Sequence, residues 1–253
     1  MFRCLFCGSK ENPSHEHVLA DWLKGAMPFF TAKWRVHQSY EPVGGERQVR
    51  VMEFSPFTQT VKGVCEPCNT RWMSNLENAN KPLLTPLLEG RGKHFGPDSQ
   101  RLLSSWALKT SMVWQETLPR DTIRGIPPEH FRWLYEHRDT GTIAPPPGTL
   151  VWIGAYGEQR GPPTAVHVPL RIEYSDDPLP PNEANAYSVT FSIGHVAFQI
   201  FGTTFEGQGL PKAPGKHDLI LHQIWPFDSP VIWPPDRLLT AQMLRGLAEM
   251  WTN

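Results

Sequence analysis

The chain has 253 residues, enough for one large core or two small ones, and its 40% hydrophobic and 19% charged content exclude disordered and fibrous classes. A formal charge of −1 excludes attraction of a polyanion by bulk charge; residues 1–110 hold 14 Lys and Arg against 10 Asp and Glu and the remainder 10 against 15, an asymmetry that permits a local basic face in the N-terminal part. No uninterrupted apolar stretch approaches the roughly 18–20 residues of a membrane span, and MFRCLFCGSK lacks the apolar core of a signal peptide, so a soluble cytoplasmic protein is expected.

All four cysteines fall in two Cys-x-x-Cys pairs, Cys4/Cys7 and Cys65/Cys68. Each pair sits in a sharp turn that presents two sulfurs to one ion; Gly8 eases the first turn and Pro67 stiffens the second. A thiolate tetrad at this spacing suits tetrahedral zinc, and four sulfurs close the coordination sphere, so such a zinc is structural. Two disulfides or a thioredoxin-like redox motif are the competing readings, but nothing points to export and no βαβ pattern flanks either pair.

Between the pairs, SHEHVLADWL sets Glu16 directly before His17. A carboxylate and an imidazole side by side can divide labour, one holding a divalent cation and the other taking a proton from water. Two rival metal enzymes do not fit: a deaminase needs His two residues before the Glu, where Ser14 stands, and a zincin helix needs His at position 19, which is Leu. Further along, TAKWRVHQSYEPVGGERQVRVMEF reads as an inserted hairpin around Gly44-Gly45. After the second pair, VCEPCNTRWMSNLE leads into a helix expected over 69–80, with Trp72, Leu76 and Ala79 as its core stripe. On such a helix Glu77 lies about 12 Å beyond Asn69 and roughly 80° round, which makes it a solvent or ion-pair residue and no companion ligand.

Cys-x-x-Cys, Glu-His-Val and then Cys-x-x-Cys-Asn together resemble the zinc-knuckle branch of the HNH endonuclease family. In that family a zinc tetrad pins a small β-hairpin onto a helix, forming a ββα-metal unit that hydrolyses phosphodiester bonds. The resemblance covers at most residues 1–80. It implies Glu16 as acidic ligand of a catalytic magnesium or manganese ion, His17 as general base, Asn69 as the ligand on the helix, and products with 5′ phosphate and 3′ hydroxyl. Arg71 is the candidate phosphate contact, and DNA the implied substrate, with RNA an open alternative. The family's middle asparagine has no evident counterpart; Gln48, Gln59 and Thr60 stand in the interval.

Past the motif, KPLLTPLLE reads as a Pro-punctuated helical connection and GRGKHFGPD as a turn-rich joint. SQRLLSSWALKTSMVWQETL suits a helix with one buried face, capped by Asp98 or Ser99, and PPEHFRWLYEHRD a second short helix. TGTIAPPPGT is a linker. From Leu150 the pattern turns to strands, with Gly194-His195 as a hairpin turn, and PDRLLTAQMLRGLAEMW closes the chain as a helix. His167, His195, His217 and His222 lie in or beside strands without Cys or carboxylates at ligand spacing and read as structural histidines. The expected fold class is therefore α+β: an HNH-like zinc-knuckle unit over 1–92, a helical connector over 93–140 and a β-rich domain over 141–253. The alternative from another functional class is a non-catalytic zinc module that binds nucleic acid or protein.

Overall fold

The computed structural model describes residues 2–27, 32–157, 162–172, 183–204 and 220–250. Its architecture is mixed α+β, as the pattern of the sequence implies. The N-terminal third contains β1 (Glu16–His17), α1 (Leu23–Ala26), β2 (Trp34–Tyr40), β3 (Gln48–Phe54), β4 (Thr60–Val61) and α2 (Ser74–Leu88). β1 and β4 form an antiparallel ribbon with Glu16 opposite Val61 and His17 opposite Thr60. The hairpin inserted between them pairs Trp34 with Phe54 through to Tyr40 with Gln48, and Gly44 in its turn takes a φ of 70° that a side chain would resist.

Helix α2 enters through a π-helical turn over Cys68–Met73, where an ordinary α-helix is expected. The Ser74 N–H reaches the Asn69 carbonyl five residues back, and the Cys65 carbonyl accepts from both Cys68 and Asn69. The wider turn is thus the continuation of the cysteine turn into the helix. Trp72 and Leu76 are buried as the stripe predicts, but Asn80 is buried in place of the half-buried Ala79. The helical connection expected over KPLLTPLLE is the second half of this helix, which runs unbroken through Pro82 and Pro86. Burial of Leu84, Leu87 and Leu88 overrides the local preference, and the Lys93 ammonium donates to the Pro82 carbonyl.

The rest of the chain supplies β5 (Lys93–Phe95), α3 (Pro97–Gln115), α4 (Pro128–Glu136), β6 (Thr149–Tyr156), β7 (Thr164–Leu170), β8 (Ala186–Ile193), β9 (Val196–Thr203), β10 (His222–Trp225), β11 (Val231–Trp233), β12 (Leu238–Leu239) and α5 (Ala241–Glu249). The main sheet has the order β10-β6-β9-β8-β7, with β12 parallel to the far end of β6, and it curls into a half-barrel. Gly194 turns β8 into β9 with a φ of 56°, at the position the sequence marks. The closing helix is shorter than expected: Leu238 and Leu239 join the sheet, and Thr240, accepting from the Met243 N–H, starts the helix in place of the Pro-Asp pair.

Both faces of the sheet are covered. Phe191 and Phe198 stack at 5.0 Å and meet Trp106 of α3, while Leu150, Trp152 and Phe201 pack on the other face with Leu244 and Leu247 of α5. Helix α3 starts at Gly96 with Pro97 in its first turn, so neither Asp98 nor Ser99 is the cap. Every residue from Leu103 to Val113 is buried, not one face only, because α2 packs on one side of this helix and the sheet on another. One core cluster accordingly runs from Cys4 to Trp233. Phe198→Ala, which empties the centre of this contact, should lower stability by about 3–5 kcal/mol in chemical denaturation.

Candidate metal centre and the adjoining ribbon

The two cysteine turns are built locally and then held against each other. Gly8 N–H donates to the Cys4 carbonyl at 2.9 Å with φ of 74°, and Cys68 N–H donates to the Cys65 carbonyl at 3.1 Å. Leu5 N–H to the Gly63 carbonyl and Ser14 N–H to the Val64 carbonyl, both at 2.9 Å, tie one turn to the other. A Cβ at Gly63 would stand 2.4 Å from a Leu5 methyl, so a side chain there would displace that of Leu5. The ligand atoms of Cys4, Cys7, Cys65 and Cys68 consequently lie within 4.8 Å of one another, with Cys7 Sγ and Cys65 Sγ at 3.5 Å. This is a site that can hold a metal ion such as zinc, whose four Zn–S bonds of about 2.3 Å require such convergence.

Hydrogen bonds join the thiols across the two turns. A hydrogen bond from Cys68 holds the Cys4 thiol down at about 4, and the same bond keeps the Cys68 thiol protonated. Burial pushes the Cys65 thiol up to about 11. A metal ion would take the place of the shared protons. Among the described residues this is the one convergence of three or more Cys, His, Asp or Glu ligand atoms.

Asn69, directly after the last cysteine, closes the junction with β1. Its Nδ2 donates to Ser14 Oγ at 3.2 Å and to the His15 carbonyl at 3.4 Å. Both bonds use the amide nitrogen, so Oδ1 is left to accept. His17 is half-buried in β1, and His15 and Arg71 are exposed. Strand alternation sends Glu16 the other way, into the protein, where it is 8% exposed.

There Glu16 meets two residues of other elements. The Lys109 ammonium of α3 lies 3.9 Å from Glu16 Oε1 and is ion-paired and hydrogen-bonded to Glu77 Oε1. Glu77 Oε2 accepts from the indoles of Trp22 at 3.0 Å and Trp106 at 2.8 Å. Glu77 is thus the ion-pair residue that helical geometry suggests, whereas Lys109 has no signal in the sequence beyond a lysine among apolar residues. Burial would lower the Lys109 pKa, but the Glu77 and Glu16 carboxylates reverse that and hold it above the ordinary lysine value. Burial raises the Glu16 carboxyl to about 7 against the pull of Lys109.

The C-terminal histidines do not assemble. His195 packs its ring on Gly90 at the end of α2, His222 is exposed, and His167 has both ring nitrogens buried without a hydrogen-bond partner, which lowers its pKa to about 4. His217 lies outside the described residues. No helix among the described residues is long and apolar enough to cross a membrane. No family model matches the chain, and no curated protein or solved structure matches it either.

Glu16 has a consequence for stability. Its carboxyl ionises at 4.5 when unperturbed and about 7 when folded, so the native state binds the extra proton between these values and stability falls as pH rises through that window. Glu16→Gln removes the loss. Denaturation at pH 5 and pH 8 should show the variant gaining roughly 2–3 kcal/mol on the parent across that interval.

Proposed function

We propose that the N-terminal unit is a metal-dependent phosphodiester hydrolase of the HNH type acting on DNA, with the cysteine cluster as its structural zinc site. One observation carries the reading: the Asn69 amide is bonded to Ser14 and His15, so the start of the helix and the strand bearing Glu16 and His17 meet beside the four cysteines. His17, half-buried on that strand, takes the proton from the attacking water. Glu16 and Asn69 Oδ1 supply oxygen donors of the kind magnesium and manganese take. When bound, such an ion stabilises charge on the scissile phosphate and the leaving 3′ oxygen. Arg71, exposed in the first helical turn, is the phosphate contact of this reading. Products carry 5′ phosphate and 3′ hydroxyl.

A second reading has an observation of its own. The Lys109 ammonium already stands as the cation beside Glu16, which favours a non-catalytic zinc module that binds nucleic acid or protein. Plasmid nicking with magnesium or manganese, and with the divalent ion withheld, separates the two. Cleavage that needs the ion supports the enzyme, and no cleavage of plasmid or RNA under either ion supports the module. In the active protein, His17→Ala should lower the rate by about 10²–10⁴ with zinc content unchanged.

Two adjacent substitutions should act oppositely. Asn69→Ala removes a ligand and two hydrogen bonds, so it should raise the metal concentration for half-maximal cleavage and lower stability by only about 1–2 kcal/mol. Cys68→Ser strikes the structural ion, whose binding energy is folding energy, about 10–16 kcal/mol in small zinc peptides, and should unfold the N-terminal unit. Circular dichroism with metal analysis distinguishes them. Equal unfolding by both would make Asn69 a structural tie and remove it from the site.

A further inference from the structure

The Glu16–Lys109–Glu77 cluster links the strand that carries His17 to two helices. Three charged side chains converge from three elements, β1, α3 and α2, in a region where Lys109 is 1% exposed. A buried ion pair of this kind is weak evidence for stability, since desolvation offsets much of the attraction. Yet each member is oriented: both indoles fix one Glu77 oxygen, the other Glu77 oxygen holds the ammonium, and the ammonium faces Glu16. The chain of contacts ends on the two-residue strand that carries His17. That strand is short, and its pairing with β4 is confined to Glu16–Val61 and His17–Thr60, with Val18 N–H donating to the Gln59 carbonyl beyond it. A ribbon this small does not hold its own register.

We infer that Lys109, although it lies in the long helix outside the ribbon–helix unit, is a positioning residue for the Glu16–His17–Asn69 site. Glu77 anchors its ammonium, and the ammonium in turn fixes the Glu16 carboxylate and with it the strand that presents His17. Trp22 and Trp106 hold Glu77 through its other carboxylate oxygen. The inference rests on the nuclease reading for its kinetic readout, and on the strand itself for the other. It also explains why a charged side chain sits in the most buried stretch of α3.

Lys109→Met alone leaves two carboxylates buried without a cation and risks unfolding. The double variant Lys109→Met/Glu77→Gln keeps an amide oxygen for the two indoles and removes the anchor as a neutral pair. Three quantities are read on the full chain: amide hydrogen exchange, plasmid cleavage at saturating manganese, and duplex affinity in calcium. The expected result is one zinc per chain, parental protection in β8 and β9, and lost protection at residues 16–18 and 60–61. Cleavage should fall by about 10–100-fold, the usual effect of losing a group that orients a ligand, with duplex affinity unchanged. A purely structural role would instead lower protection throughout and weaken binding with rate. Parental exchange at residues 16–18, or parental cleavage despite a loosened strand, overturns the assignment. If the parent protein cuts nothing, the nuclease reading falls by itself, and exchange at residues 16–18 alone decides whether Lys109 fixes the strand.

Discussion

The N-terminal unit depends on four sulfurs being held within 4.8 Å of one another. Cys4 and Cys7 are separated from Cys65 and Cys68 by nearly sixty residues, and the interval contains a hairpin, two short strands and one short α-helix, from which Val18, Leu19, Leu23, Phe57 and Val61 reach the common core. Closing such a loop costs entropy that grows only slowly with its length, so a single strong cross-link can organise it. A metal ion at the tetrad would be that link, and its binding would be part of the folding free energy. The π-helical turn follows directly, because the helix must begin inside a cysteine turn whose carbonyl already serves two amides. Asn69 is then carried to Ser14 and His15 by the same geometry.

A second constraint comes from α3. A helix buried on all sides is normally apolar all round, yet this one carries Lys109 and a run of hydroxyl residues through the centre of the molecule. The hydroxyls of Ser105 and Ser111 fold back onto carbonyls four residues earlier, so they add little demand on their surroundings. Lys109 cannot do this. Its ammonium needs carboxylates, and the pair available are Glu77 on α2 and Glu16 on β1. The requirement to neutralise one buried charge thereby ties the ribbon, the helix after the cysteines and the long helix under the sheet into one body. The His195 ring against Gly90 makes a further contact between the sheet and the end of α2.

The elements that sequence reading places correctly are those whose signal is local. Gly44 and Gly194 mark turns because their φ values are ones other residues avoid, and the strands around them alternate or run apolar as a half-covered or fully covered sheet demands. The misplacements share a cause. Leu238 and Leu239 suggest a helical turn, and the polar residues of α3 a solvated face. In each case, packing against a distant segment outweighs a preference worth a few kcal/mol at most.

For the site, the sequence by itself determined the four cysteines as one set able to hold a metal ion, because paired turns at that spacing bring four sulfurs to one point. It also marked Glu16, His17 and Asn69 as candidates, since residue type and order alone carry that resemblance. Only the tertiary structure decided which way the strand faces, sending Glu16 inward and leaving His17 half-buried. Only it brought Lys109, ninety-three positions along the chain from Glu16, to that carboxylate. The physical reason is that coordination turns are written in residues three apart, whereas the pairing of a buried charge depends on which elements come to share an interior, and no local pattern records that.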